Sequence, residues 1–352
     1  MLKKYKTIIP VIILAIAFIT ALIPSIPNWI SIVLMIVAAI LLIIASRGTF
    51  YFSKASKIIS QRKPGFVENA IALYEKAFDA GVPHQYNLVI GTVFLQHGDI
   101  EKGREALESV LSAKDRKLVF QAKEALSMYY WIKKDLDKAI ELCESAREMN
   151  LKDRNLYINL GSYYLAKGRT KDFKNLIKEA FRSQMESVAL IDLQAQYLIE
   201  LKNYKRAGNF LKSLFDQATP TFIDPYIHYS MIYMHYGEID IAIKYLKDCL
   251  KIATFSNVSI FSSLEIEQMI SCLESEDSRW GFVNAVLADP IAIFNGRMPS
   301  IQKGIKRPEF EELPIFEAEG MSQKEISEKA EEEPDTSLNE EDEIWLKKHQ
   351  DN

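Results

Sequence analysis

The feature that most constrains this chain is a self-similar period of about 34 residues. A short or small side chain opens an amphipathic helical stretch at Ala70, Gly103, Ala139, Phe173, Ala207 and Ala242, in steps of 33, 36, 34, 34 and 35 residues. Phe173 is the one large member of that series. The copy "NLYINLGSYYLAKGRTKDFKNLIKEAF" shows the content of a unit. Its first half carries Leu160, Gly161 and Tyr164 and stops at Gly168; its second half places Phe173, Ile177 and Ala180 on one helical face. One such helix pair cannot bury its apolar face alone, so a chain built from repeats of it has to stack them. The small residues allow helices to approach closely, and the aromatic residues fill the space beside them.

The other copies follow the same plan: Gly91, Phe94, Gly98, Gly103, Leu107 and Val110; Leu126, Tyr130, Leu136, Ala139 and Ala146; Leu198, Tyr204, Ala207 and Leu211; Tyr229, Tyr233, Gly237, Ile239, Ala242 and Leu246. An initial unit has its second helix in "FVENAIALYEKAF" and draws its first from roughly residues 50–62. The Leu-Gly-x-x-Tyr of the fourth unit, the alanine-rich second helices and the period resemble the tetratricopeptide repeat (TPR) family over about residues 50–254. Only the second and fourth units keep the pairing glycine. The resemblance implies an all-α solenoid of about six helix pairs, closed by a capping helix in "SSLEIEQMISCLES", and a protein-binding scaffold rather than an enzyme.

Two uncharged apolar runs, Thr7 to Ile23 and Trp29 to Ala45, precede the repeats. Each is just long enough to cross a bilayer core, which takes roughly 17–25 helical residues. The intervening "PSIPN" suits a tight turn. Residues 1–63 hold eight Lys/Arg and no acid, and none of the eight lies in the turn. The expectation is a two-helix transmembrane hairpin over 1–48 in the cell membrane, with both termini cytoplasmic. Residues 309–352 hold 16 Asp/Glu against four Lys, the composition of a disordered acidic tail. The middle is close to neutral, which offers no basic face to nucleic acid. The organisation expected is therefore a hairpin (1–48), a solenoid with its cap (49–275), a linker with a short helix in "SRWGFVNAVLADP" (276–308) and the tail (309–352).

No phosphate-binding loop, paired-cysteine metal site or nucleophile elbow occurs, so no catalytic residue, metal site or cofactor is expected. The three cysteines are scattered and odd in number, which argues against a disulfide framework; Cys143 and Cys249 fall on apolar stripes of second helices. His228 and His235 are seven residues apart, and His228 is expected off the core stripe.

In the family that the repeats resemble, first helices line a concave groove that receives a peptide. The matching positions here include Leu95, Met128, Trp131, Ile132, Ile158, Leu165, Gln196, Met231, Met234 and His235. The basic set with which some members clamp a carboxylate is missing, so the groove suits apolar anchors of a protein or peptide partner. Two apolar islands of the tail, "FEELPIF" and "IWLKKH", are on a tether long enough to reach back to such a groove. The expected function is a membrane-anchored, cytoplasm-facing adaptor. The alternative is an accessory regulatory subunit that meets a membrane enzyme or transporter through the hairpin.

Overall fold

The computed structural model describes residues 8–23, 27–61, 66–185, 187–217, 219–252 and 256–317. Among them are sixteen helices and no strand, an all-α arrangement consistent with a helical-repeat solenoid. The chain divides into two compact units, Met1–Tyr129 and Tyr130–Asn352.

The first unit contains α1 (Ile8–Ala21), α2 (Asn28–Gln61), α3 (Phe66–Ala80), α4 (His84–His97), α5 (Ile100–Val110) and most of α6 (Arg116–Ile132). Helices α1 and α2 pack together, with Ala17 and Ala38 buried and a 2.9 Å hydrogen bond between the Thr20 and Ser31 hydroxyls. Many of the large side chains in their apolar parts are exposed, among them Phe18, Trp29 and Ile43. Of the described helices, α2 alone is long and apolar enough to cross a membrane, with a mean hydropathy of 2.9 in its most apolar window. At 14 residues α1 is shorter, so one span, not a pair, has the required length; residues 24–26 of the expected turn lie outside the described residues.

Helix α2 does not stop where its apolar stretch ends. It runs unbroken through residue 48, the boundary expected from sequence, and its C-terminal part is the missing first helix of the first repeat. There Ala55 joins Ala70, Tyr74 and Ala77 of α3 and Ile90 and Phe94 of α4 in one core. In the next pair, glycine does what the period suggests. A Cβ on Gly91 would lie 3.0 Å from the Gly103 carbonyl oxygen, and one on Gly103 would lie 3.1 Å from that of Gly91. The backbones of α4 and α5 therefore touch, and any side chain at either position pushes them apart.

The second unit holds α7 (Leu136–Arg147), α8 (Arg154–Ala166), α9 (Thr170–Arg182), α10 (Val188–Glu200), α11 (Tyr204–Gln217), α12 (Asp224–His235), α13 (Ile239–Ile252), α14 (Ser263–Glu274), α15 (Arg279–Ala288) and α16 (Pro290–Phe294). Its repeat is visible in the backbone of the turns. Lys134, Gly168, Lys202 and Gly237 all take positive φ, between 58° and 75°. The N–H that follows each one reaches back to the carbonyl of Tyr130, Tyr164, Leu198 and Tyr233 at 2.7–2.9 Å. The same left-handed cap thus ends each first helix and starts the second, and Asp135 and Asn203 then accept the N-cap hydrogen bonds of the helices they precede. Phe173 breaks the small-residue rule because Gly161 yields the space: a Cβ there would meet its ring at 3.4 Å and Leu193 at 3.1 Å. Cys143 and Cys249 are buried, as their positions on apolar stripes require. The expected cap is α14, closed by a reciprocal Ser262–Glu265 capping box.

Candidate partner-binding face

Helices α8, α10 and α12 are first helices of successive units and pack side by side. The groove positions named from sequence in the second unit lie on them and on the end of α6. Leu165, Met231 and Met234 are almost fully buried, as are Gln196 and Trp131; Ile132, Ile158 and His235 are half-buried. In the first unit, Met128 is half-buried and Leu95 is fully buried. Leu95 fills the gap opposite Gly103, 2.9 Å from where a Cβ would stand, so it holds its own helix pair together and does not line an open surface.

In the second unit the chain itself covers the face. Helix α16 packs on α8 and α10, and α15 on α12. Trp131 stacks on Tyr163, centroids 5.5 Å apart, and its indole N–H donates to the Val258 carbonyl at 3.3 Å. The Asn295 amide donates to the Ala166 carbonyl at 2.9 Å and to that of Ile291 at 3.0 Å. In return the Lys134 ammonium donates to the Asn295 carbonyl at 3.0 Å. Ile293 and Phe294 are buried, and Phe294 meets the His228 ring edge-on at 5.3 Å. Asp289 starts this short helix by accepting from the Ala292 N–H at 3.0 Å, with Pro290 at its first position.

Beneath Phe294 the face carries a buried polar pair. His228 is buried, not off the core stripe, because its Nδ1 is 2.8 Å from Asp192 Oδ1 and that carboxylate is buried with it. Burial pushes the imidazole down, but Asp192 and Asp224 outweigh it, and the net direction is up. Its Nε2 has no hydrogen-bond partner among the described residues. His235 moves the other way: burial lowers it and Glu311 only partly opposes, and its ring stacks on Tyr204 at 3.8 Å. At the end of α10, burial pushes Glu200 up to about 8. Among the described residues no three His, Cys, Asp or Glu gather closely enough to hold a metal ion.

The apolar island "FEELPIF" is seated elsewhere. The Phe316 ring lies 2.2 Å from where a Cβ on Gly208 would be and sits about 6 Å from Tyr229, Tyr233 and Tyr236. Helical spacing puts Tyr229 and Tyr233 on the side of α12 opposite Met231 and Met234. Phe310 packs on Gly237 and Trp280. The second island, "IWLKKH", falls outside the described residues. Sequence reasoning missed Asn295 as well as the two glycines that receive the phenylalanine rings. The bare helix position at Gly208, in the glycine-poor copy, was the available signal.

Residues 223–254 match the family model for the tetratricopeptide repeat, and these residues are the α12–α13 pair. Tetratricopeptide repeats are protein-interaction modules, typically non-catalytic, and the matched pair carries the Met231 and Met234 face just described. No curated protein matches the chain.

Proposed function

We propose that this chain is a membrane-anchored adaptor that binds a protein partner on the face of its first helices. The observation that carries the reading is that this face already accepts a short helix. Pro290–Phe294 is seated on α8 and α10 by Ile293 and Phe294, and the Asn295 amide ties it to α8. That is the helix-in-groove mode of recognition, with apolar anchors fixing position and one polar latch fixing register. Residues as buried as Met231 or Leu165 can meet a partner only when their cover leaves; we take α16, on α8 and α10, with α15, on α12, to be that cover, in competition with a partner helix for Trp131, Ile132, Ile158, Leu165, Gln196, Met231, Met234 and His235.

The exposed apolar flank of α2 supports anchoring, and α1, packed on it, would be the other arm of the hairpin, its 14 helical residues falling short of a full span. The Lys/Arg on both flanks favour cytoplasmic termini. The test has two arms. A tag at Ser25 should be reachable from outside the cell and a reporter after Asn352 should be active only inside; the reverse pattern refutes the topology. A photo-crosslinking residue at Ile158 should capture a protein in native membranes, more strongly in Phe294→Ala than in the parent chain. Equal capture in both would refute competition with α16.

A further inference from the structure

The strap over residues 308–317 has the form of a bound linear motif. It contains no helix or strand, and its purchase comes from two rings. Phe316 drops onto Gly208 and Phe310 onto Gly237; Cβ atoms at these glycines would stand 2.2 and 2.6 Å from the rings. The walls are aromatic: Tyr229, Tyr233 and Tyr236 around Phe316, and Trp280 beside Phe310. Arg307 spreads its guanidinium over both Trp280 and Phe310, 5.6 and 5.7 Å from their centroids. At the far end the Glu317 N–H donates to the Asn209 side-chain oxygen at 3.1 Å. Between the anchors, Glu311 and Glu312 are exposed and Ile315 is 85% exposed. Beside Ile315 and Phe316 the cleft continues into a cavity of about 300 Å³ lined by Phe215 and Tyr245.

A segment held by two anchors leaves by local opening, without melting the helices that hold it. Fixed glycine floors and aromatic walls remain when it does, and they specify what may enter: an extended peptide with two phenylalanines separated by five residues, acidic residues among them. We infer that the cleft between α11, α12 and α13 is a second docking site, for a partner carrying an acidic Phe-x5-Phe motif, and that the chain's own strap is its resident occupant. The site is on the side of α12 away from Met231 and Met234, with His235 near both because it feels Glu311 of the strap, and it stands independently of membrane anchoring. Covalent attachment keeps the strap at an effective concentration of order millimolar, so a partner succeeds through a tighter motif or high local density.

The experiment empties the cleft and offers the motif back. The full chain carrying Phe310→Ala and Phe316→Ala, in detergent, is titrated with a fluorescein-labelled peptide of residues 307–317. Binding should be saturable and at least ten times tighter than to the parent chain, whose cleft is filled. It should vanish when Gly208→Val is added, because the new methyl groups occupy the volume the Phe316 ring has left. Helix content and Tm of each variant establish that the fold persists. A folded double-alanine chain that ignores the peptide would overturn the inference, as would binding that survives Gly208→Val. Dimers of the parent chain that disappear in the double-alanine variant would also overturn it, since the occupant would then be a second copy.

Discussion

Glu200 gives the sharpest stability prediction. It is 4% exposed, and neither carboxylate oxygen has a hydrogen-bond partner among the described residues. Burial therefore pushes its pKa from the ordinary 4.5 up to about 8. Because the folded-state value is raised, the fold is best off with Glu200 protonated, below about pH 4.5. Stability is lost as pH rises and the unfolded chain, but not the folded one, releases the proton; the loss ends near pH 8. At about 1.4 kcal/mol per pH unit, the protein surrenders roughly 3 kcal/mol by pH 7. Glu200→Gln keeps the shape and cannot ionise, so it should remove that slope. Measured by differential scanning fluorimetry of the full chain in detergent, Tm of the variant should gain on the parent between about pH 4.5 and about pH 7. The expected gain is about 6–12 °C, at roughly 2–4 °C per kcal/mol for a unit of this size. All other titrating groups are common to the two proteins and cancel. Parallel Tm-against-pH curves would show that Glu200 is solvated or paired in solution, and the reasoning would fail.

Three other outcomes follow from the helix contacts. Gly168 has φ +72° and open space around its Cβ position, so Gly168→Ala should cost only left-handed strain, about 1 kcal/mol, read as a small drop in Tm. Gly161→Leu should cost more, about 1–3 kcal/mol, since Leu193 and Phe173 already crowd that position; an unchanged Tm would contradict the close helix approach. Asn295→Ala strips the Ala166 carbonyl of its donor, an effect of about 1–3 kcal/mol, and should speed amide hydrogen exchange in α16 while leaving α13 as it was.

The repeat was legible because it rests on local rules. Period, small residues and turn glycines are each short-range, and the left-handed turns at Lys134 and Lys202 show the period enforcing a backbone shape even where glycine is absent. The groove positions were legible as an apolar face, but they were expected to lie open to a partner, and the burial of most of them was not read. Nor was what covers them. The α16 segment meets α8 through Asn295 and Ala166, 129 residues apart, and no spacing rule connects them. His228 was misplaced for the same reason: its burial depends on Asp192, one repeat earlier, and a lone histidine carries no sign of its partner. The island "FEELPIF" stood out as apolar in acidic surroundings, but its seat at Gly208 and Gly237 could be found only from the packed helices.

The continuity of α2 decides how the repeats meet the proposed membrane. Its 34 residues make a rod of about 50 Å at 1.5 Å per residue, and a bilayer core takes about 30 Å of it. The apolar run ends at Ala45 and the first charge is Arg47, so the remaining turns fall on the part that packs against α3. Nothing like a flexible linker intervenes, and the first repeat would be held at the bilayer surface by the span itself. Gly48 marks the junction. Its Cβ position is 2.8 Å from the Gly81 carbonyl oxygen, 3.0 Å from Val82 Cγ1 and 3.3 Å from the Ala77 carbonyl oxygen, so α2 presses backbone to backbone on the end of α3. Gly48→Val should therefore prise the first repeat from the span and raise hydrogen exchange in α3 and the C-terminal half of α2, while the apolar half keeps its protection. If exchange in α3 does not change, the contact at Gly48 is not what fixes the first repeat to the span.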